Sequence, residues 1–330
     1  MKIKPHIHLL ATGGTIAGQA SSHTATTGYR AGALSVEDLV NSVPGIREVA
    51  EITGETISAI DSKDMTEDIW LSLSRRINEL ETEGETDGIV VIHGTDTMEE
   101  TAYFLELTTA HRIPVVLTGA MRPATALSAD GPMNLLNAVR VAGNRFAENM
   151  GVLVMMNNTI FAAREVTKGN TLSLNAFCAP QGPLGFINDG QVEFHHILLW
   201  GESRQPPFKV GSLKELPKVY IVYGTAGADG AMVRAARQAG AEGIVYAGTG
   251  NGSIHISDEK ELAKAVRLGI IVVRSSHTGS GSVIRAEESY EKEHFIRAGS
   301  LNPQKARILL QLALTRPRDY RVIQKIFEEH

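Results

Sequence analysis

One cysteine in 330 residues, Cys178, excludes an intrachain disulfide and a cage of thiolate metal ligands, and it fits a reducing compartment. An excess of basic residues is also missing. Lys and Arg total 32 against 37 Asp and Glu, the net charge is −5, and the cations are scattered rather than clustered. Such a chain is expected to bind neither nucleic acid nor an anionic membrane. No run approaches the roughly 20 apolar residues of a membrane span. Lys2 and Lys4 lead into a strand, with no small-residue cleavage site after it. The expected compartment is therefore the cytoplasm, or the periplasm if a precursor segment has been removed.

Several chemical signatures are absent as well. There is no G-x-x-x-x-G-K-[ST], no G-x-S-x-G elbow and no His-Glu-x-x-His. "GTGNGS" (248–253) comes close to a dinucleotide fingerprint but lacks its third glycine, and the next strand ends in Arg274 rather than an acid. His6 and His8 share one face of the first strand, while adjacent His195 and His196 point opposite ways if extended, so no metal is expected.

What is present is alternation. Short apolar runs at 7–11, 89–93, 115–118, 152–156, 219–223, 244–247 and 270–274 read as parallel strands covered on both faces. Between them lie helical patterns with start signals: Ser35 before "VEDLVNSV", Thr66 before "EDIWLSLSRRINELE", and Thr97 before "MEETAYFLELTT" with Glu100 completing a capping box. Three more open at Asp130, at Ser257, and at Asn302 with Pro303 in the first helical position. This predicts an α/β protein of two α/β domains, a larger N-terminal one with a mainly parallel sheet and a smaller C-terminal one. The stretch 200–218, with three prolines and little periodicity, divides them near residue 210. The expected boundaries are 1–205, a linker at 206–218, and 219–330.

Strand after strand ends in small and hydroxylated residues: "ATGGT", "HGTDT", "LTGAM", "YGTAG", "AGTGNG", "RSSHTGS". The carboxyl ends of parallel strands line the ligand crevice of open α/β sheets, so these ends predict a polar pocket for a small molecule. With a serine elbow and a cysteine–histidine pair both missing, threonine is the remaining nucleophile, and its weak hydroxyl needs an activating neighbour. "HGTDTMEET" offers Thr95 and Asp96 at a strand end, and "EVTKGNT" offers Lys168, an amine that can serve as base. Together they make a coherent proton-transfer unit.

The segments "ATGGTIAG", "GIVVIHGTDTMEETAYFLELT", "GAMRPATALSADGPMNLLNAV", "EVTKGNT" and "LNPQKARILLQLALT" closely resemble the bacterial type II asparaginases, the asparaginase and glutaminase-asparaginase family, nearly end to end. The resemblance implies hydrolysis of L-asparagine to L-aspartate and ammonia, L-glutamine as a frequent second substrate, no cofactor, and a homotetramer built as a dimer of intimate dimers. Carried over by position, Thr15 matches the nucleophile that forms the acyl-enzyme, with the glycines before it letting a small amide approach, and Thr12 supports the loop. Tyr29 in "TTGYRAG" matches the lid tyrosine that helps Thr15 transfer its proton, and Glu287 in "IRAEES" the acid that orients it. Thr95, Asp96 and Lys168 match the second triad, with Asp96 also accepting from the substrate ammonium. Ser62 matches a binder of the substrate α-carboxylate. Asn251 resembles a residue that reaches the pocket from a neighbouring subunit.

One position departs from the pattern. Lys63 stands where the family usually has Gln or Glu against the substrate ammonium. Two like charges about 4 Å apart at an effective dielectric of about 20 repel by roughly 4 kcal/mol. Lys63 is therefore expected to swing to solvent or to pair with Asp61 or Asp64; the alternative is weaker affinity or a changed substrate choice. Two rival readings are a transfer-RNA-dependent amidotransferase subunit, which would carry an extra N-terminal domain, and a non-catalytic amino-acid-binding protein. The set Thr15, Tyr29, Thr95, Asp96 and Lys168 argues against the second.

Overall fold

The computed structural model describes residues 4–18, 22–24, 32, 34–198 and 205–330. They fall into two compact units, Met1–Lys214 and Glu215–His330. Residues 206–214, expected in the linker, belong to the first unit. Phe208 is buried there and its N–H donates to Leu107 O.

In the first unit the chain runs β1 (His6–Gly13), α1 (Val36–Asn41), α2 (Ile46–Val49), β2 (Glu51–Ile60), α3 (Glu67–Glu83), β3 (Gly88–Ile92), α4 (Met98–Thr108), β4 (Val115–Thr118), α5 (Gly131–Ala142) and β5 (Val152–Met156). Short strands follow: β6 (Thr159–Ala162), β7 (Thr167–Lys168), β8 (Phe177–Cys178), β9 (Gly185–Asn188) and β10 (Gln191–Phe194). An eight-stranded sheet has the order β10-β9-β6-β5-β4-β3-β1-β2. The pairs from β2 to β5 are parallel, while β6, β9 and β10 add antiparallel. The apolar β3, β4 and β5 are buried along their whole length, as strands covered by helices must be.

The helix starts agree with the sequence at Ser35, whose capping box is closed by Asp38, and at Thr66, which accepts from Ile69 N. At Thr97 the expected capping box does not form. Its hydroxyl instead donates to Ser62 O at 2.8 Å, so the helix entry is spent on tying down the neighbouring loop. Asp130 likewise makes no cap bond to its helix backbone; its carboxylate accepts from Met121 N and Arg122 N, shaping the loop after β4, and from Asn134 Nδ2 at 3.1 Å.

The second unit runs β11 (Val219–Tyr223), α6 (Ala231–Gln238), β12 (Gly243–Gly248), α7 (Ile256–Arg267), β13 (Ile271–Ser276), α8 (Glu288–Lys292), β14 (Ile296–Arg297), α9 (Pro303–Ala313) and α10 (Tyr320–Glu329). Its sheet is parallel throughout, ordered β11-β12-β13-β14. α7 is capped two residues before the expected position, with His255 rather than Ser257 accepting at the cap. Asn302 caps α9 as its sequence predicts.

Candidate active site

The site begins with the strand order. From β1 the chain steps to β2 on one side, while β3, β4 and β5 lie on the other, so the order reverses between β1 and β3. Crevices in open parallel sheets form at such a switch point, outside the carboxyl ends of the strands. β1 ends there in Thr12-Gly13 and β3 runs there into His93, Gly94, Thr95 and Asp96.

Glycines let these ends meet. Gly13 and Gly14 have φ +109° and +82°. A Cβ on Gly13 would sit 2.4 Å from Ile60 O, and one on Gly14 would sit 2.5 Å from both Gly94 N and Gly94 Cα. A Cβ on Gly94 would in turn lie 2.5 Å from Ser62 Oγ. Thus the ends of β1, β2 and β3 press backbone against backbone. The glycines are required by contacts of the protein with itself. Thr12 completes the seam by donating from Oγ1 to Ile92 O at 3.0 Å, the supporting role its position suggested. Thr15 follows as the first residue of a short 3-10 turn, 95% buried beside that seam.

On the β3 side, Lys168 Nζ donates to Thr95 Oγ1 at 2.9 Å and to Asp96 Oδ1 at 2.6 Å. The sequence-predicted trio is therefore one hydrogen-bonded group, although Lys168 lies 72 residues beyond Asp96. Ser62 Oγ accepts from Asp96 N at 3.2 Å, which adds it to the same cluster. Lys63 lies outside it. Its Nζ turns to Asp61 Oδ2 at 2.9 Å with the side chain two-thirds exposed, one of the two escapes expected for a cation at that position.

Two buried groups that sequence reading missed hold this cluster in place. Glu99, in the first turn of α4, accepts through Oε1 from Thr167 Oγ1 at 3.1 Å and from Lys168 N at 3.4 Å. It anchors the two-residue strand β7 that carries the lysine. His93 is fully buried, and burial pushes its pKa down to about 4, so it is neutral at neutral pH. Trp70 Nε1 donates to Thr101 Oγ1 at 2.8 Å, which leaves the Thr101 hydrogen for His93 Nε2 at 2.9 Å. The remaining imidazole proton then sits on Nδ1, 2.6 Å from Gly94 O. That relay fixes the peptide immediately before Thr95.

The hydroxyl-rich strand ends divide between the two units. "ATGGT", "HGTDT" and "LTGAM" close strands of the first unit, and "YGTAG", "AGTGNG" and "RSSHTGS" close strands of the second. Asn251 and Glu287 belong to the second unit. Asn251 Oδ1 accepts from Ile284 N at 2.8 Å, and Glu287 is an exposed residue at the entry of α8. Tyr29 lies outside the described residues. His6 and His8 are hydrogen-bonded to Thr53 Oγ1, each at 2.8 Å, away from the crevice.

Fold and crevice together define a two-unit α/β protein whose larger sheet carries, at its switch point, a threonine hydroxyl bonded to a lysine that also pairs with a carboxylate. Residues 6–199 match the profile of the N-terminal asparaginase domain, and residues 218–327 that of the glutaminase/asparaginase C-terminal domain. The chain belongs to the asparaginase family. It is 47% identical over 329 residues to L-asparaginase 2 of Escherichia coli K12, covering 99% of this chain and 93% of that protein. It is 40% identical over 327 residues to the glutaminase-asparaginase of Pseudomonas fluorescens biotype A, covering 98% and 90% of the two chains. Among solved structures, the probable cytoplasmic L-asparaginase of Campylobacter jejuni superposes with a TM-score of 0.95 at 47% identity, covering 99% of this chain and 100% of that one.

Proposed function

We propose that this chain hydrolyses the side-chain amide of L-asparagine to L-aspartate and ammonia, with L-glutamine as a second substrate. The observation that carries the reading is the Thr95–Asp96–Lys168 cluster, joined to Ser62 and packed through Gly94 against the Gly14–Thr15 seam. In this reading Thr15 Oγ1 attacks the amide carbon, its proton leaves with the departing ammonia, and water hydrolyses the resulting ester to restore the hydroxyl. Tyr29, oriented by Glu287, passes the Thr15 proton.

Lys168 has a defined part. Its ammonium donates to Thr95 Oγ1 and is held by Asp96, so the oxygen of Thr95 is already engaged and its hydrogen is available to an acceptor on the substrate side. When Thr95 hands that proton on, the lysine replaces it from 2.9 Å away. Ser62 receives the α-carboxylate, and the free oxygen of Asp96 accepts from the α-ammonium. The lysine beside Ser62 is compatible with a substrate ammonium because its own charge is drawn to Asp61.

Steady-state ammonia release from L-asparagine and L-glutamine tests the activity. Mass-spectrometric trapping with an electrophilic asparagine analogue tests the nucleophile. Release from asparagine, lost in Thr15→Ala together with the adduct on Thr15, is the expected result; no release from either amide overturns it. For the assembly, the reading is a homotetramer of intimate dimers in which Asn251 serves a neighbouring subunit's pocket, so activity should fall on dilution to monomer in sedimentation experiments. The cytoplasm is the proposed compartment, on the strength of the single cysteine and the structural neighbour's description; cell fractionation decides against a trimmed periplasmic form.

A further inference from the structure

Arg274, on β13, has no solvent exposure and heads the largest fully buried side chains. Glu291, the carboxylate that influences it, forms its ion pair with Arg297 instead. Burying a cation without a paired anion is costly, and among the described residues Arg274 Nε has no hydrogen-bond partner. An apolar residue would fill the same space without that cost, so the contribution of the guanidinium lies in where its donors point.

They point to two separate segments. Nη1 donates to Asn251 O and Gly252 O, each at 3.2 Å, and Nη2 donates to Ile284 O at 3.0 Å. The guanidinium carbon stands 4.5 Å over the ring of Tyr290, whose hydroxyl accepts from Ile254 N at 3.0 Å. Asn251 Oδ1 adds a direct tie to Ile284 N. Gly252, at φ +67°, lets the two segments close up, since a Cβ there would lie 2.9 Å from Val283 Cγ1. Segment 251–254 and segment 283–290 are thus one piece with Arg274 as its hub. The first carries Asn251, which keeps its amide N–H groups free to donate because Oδ1 is committed to Ile284. The second carries Glu287, three residues from each of its anchors at Ile284 and Tyr290.

We propose that Arg274 is a positioning residue for the amide hydrolysis, setting the places of Asn251 and Glu287 by holding both segments together. This rests on the reading of those two as pocket residues. The test is a mutant cycle on the full-length protein, with kcat and KM for L-asparagine read by ammonia release and folding checked by circular dichroism. Arg274→Lys keeps the charge but loses the fork that spans the two segments, and kcat/KM should fall about 10- to 100-fold. In an Asn251→Ala/Glu287→Ala background the same substitution should cost less than threefold more. Amide exchange at 251–254 and 283–288 should rise together in Arg274→Lys.

Full activity in Arg274→Lys overturns the positioning, as does an equal loss in the doubly substituted background. Full activity in the Asn251→Ala and Glu287→Ala variants themselves overturns the assignment of those residues and, with it, the proposal. Those two failures are separable because the first leaves the alanine variants impaired. If Arg274→Lys does not fold, Tyr290→Leu, which removes the ring beneath the guanidinium, takes its place in the same cycle with the same criteria.

Discussion

Gly14→Ala is the sharpest test of how the crevice is built. Gly14 stands at φ 82°, ψ −175°, a region populated essentially by glycine, where a side chain costs about 1–3 kcal/mol. The added Cβ would begin 2.5 Å from Gly94 N and Cα, atoms of a backbone pinned by the buried His93 relay. Carbon atoms rest comfortably at about 3.5–4.0 Å, so one strand end must retreat by roughly 1 Å. A displacement of that size between Thr15 and Thr95 is expected to lower kcat/KM about 100-fold. Gly45→Ala is the matched control, because φ is similar at +78° and the nearest atom to a Cβ is a flexible Glu48 oxygen 4.0 Å away. It should lose about 1–2 kcal/mol of stability and no activity. Both variants would be compared by thermal unfolding and by ammonia release from asparagine. Activity within threefold of wild type in Gly14→Ala, at unchanged stability, would refute the tight seam.

Three further outcomes follow from the cluster. His93 has a folded pKa of about 4 against about 6.5 unfolded, so the unfolded chain binds the extra proton between those values. That group's stabilisation is complete above pH 6.5 and falls by about 3 kcal/mol as pH drops to 4. His93→Gln should flatten urea-derived stability over that window relative to wild type; the buried Glu81 and Glu106, whose raised pKa values act in the opposite direction, are common to both proteins and cancel. Lys63→Gln should leave KM for asparagine within twofold, whereas Asp61→Asn, which removes the carboxylate paired with the lysine, should raise it severalfold. A tenfold fall in KM for Lys63→Gln would show that the cation does oppose the substrate. Glu99→Leu should lower kcat at least tenfold by freeing the Lys168 strand, and Glu99→Gln, which keeps an acceptor for Lys168 N, should recover most of it in the same assay.

The strands legible in the sequence are those whose residues form unbroken apolar runs. β4 and β5, buried along their whole length, have the bounds their runs predict, and so does β11, an edge strand whose Tyr220, Ile221 and Tyr223 are exposed but still apolar or aromatic. β2 escaped detection because it is the sheet edge: "EITGETISAI" is half exposed along its length and never forms an apolar run. The antiparallel strands β6, β9 and β10 are only four residues long. Their turns did carry a readable signal. Asn157-Asn158 and Asp189-Gly190 all take positive φ, as two-residue hairpin turns require, and both dipeptides are plain in the sequence.

The site was legible where its chemistry sits on strand ends and illegible where it depends on buried support. Thr15, Thr95 and Asp96 follow apolar runs, so their place at the mouth of the sheet follows from strand direction alone. Lys168 sits on a strand of two residues, and no pattern in "EVTKGNT" says which way its side chain turns. What turns it is Glu99, which reads as an ordinary acidic residue in a helix's first turn yet is buried and bonded to the lysine's own backbone. His93 reads as the last residue of a strand, and Arg274 as the wrong residue for a nucleotide site. Each is a polar group that burial makes costly, and each is bonded to the backbone of a loop carrying a candidate site residue. Loops with glycine directly before the candidate threonine, as at Gly14-Thr15 and Gly94-Thr95, have little stiffness of their own. The rigidity that amide hydrolysis demands must then come from hydrogen bonds made below the loop, by residues whose type is visible in the sequence but whose partners are fixed only by the fold.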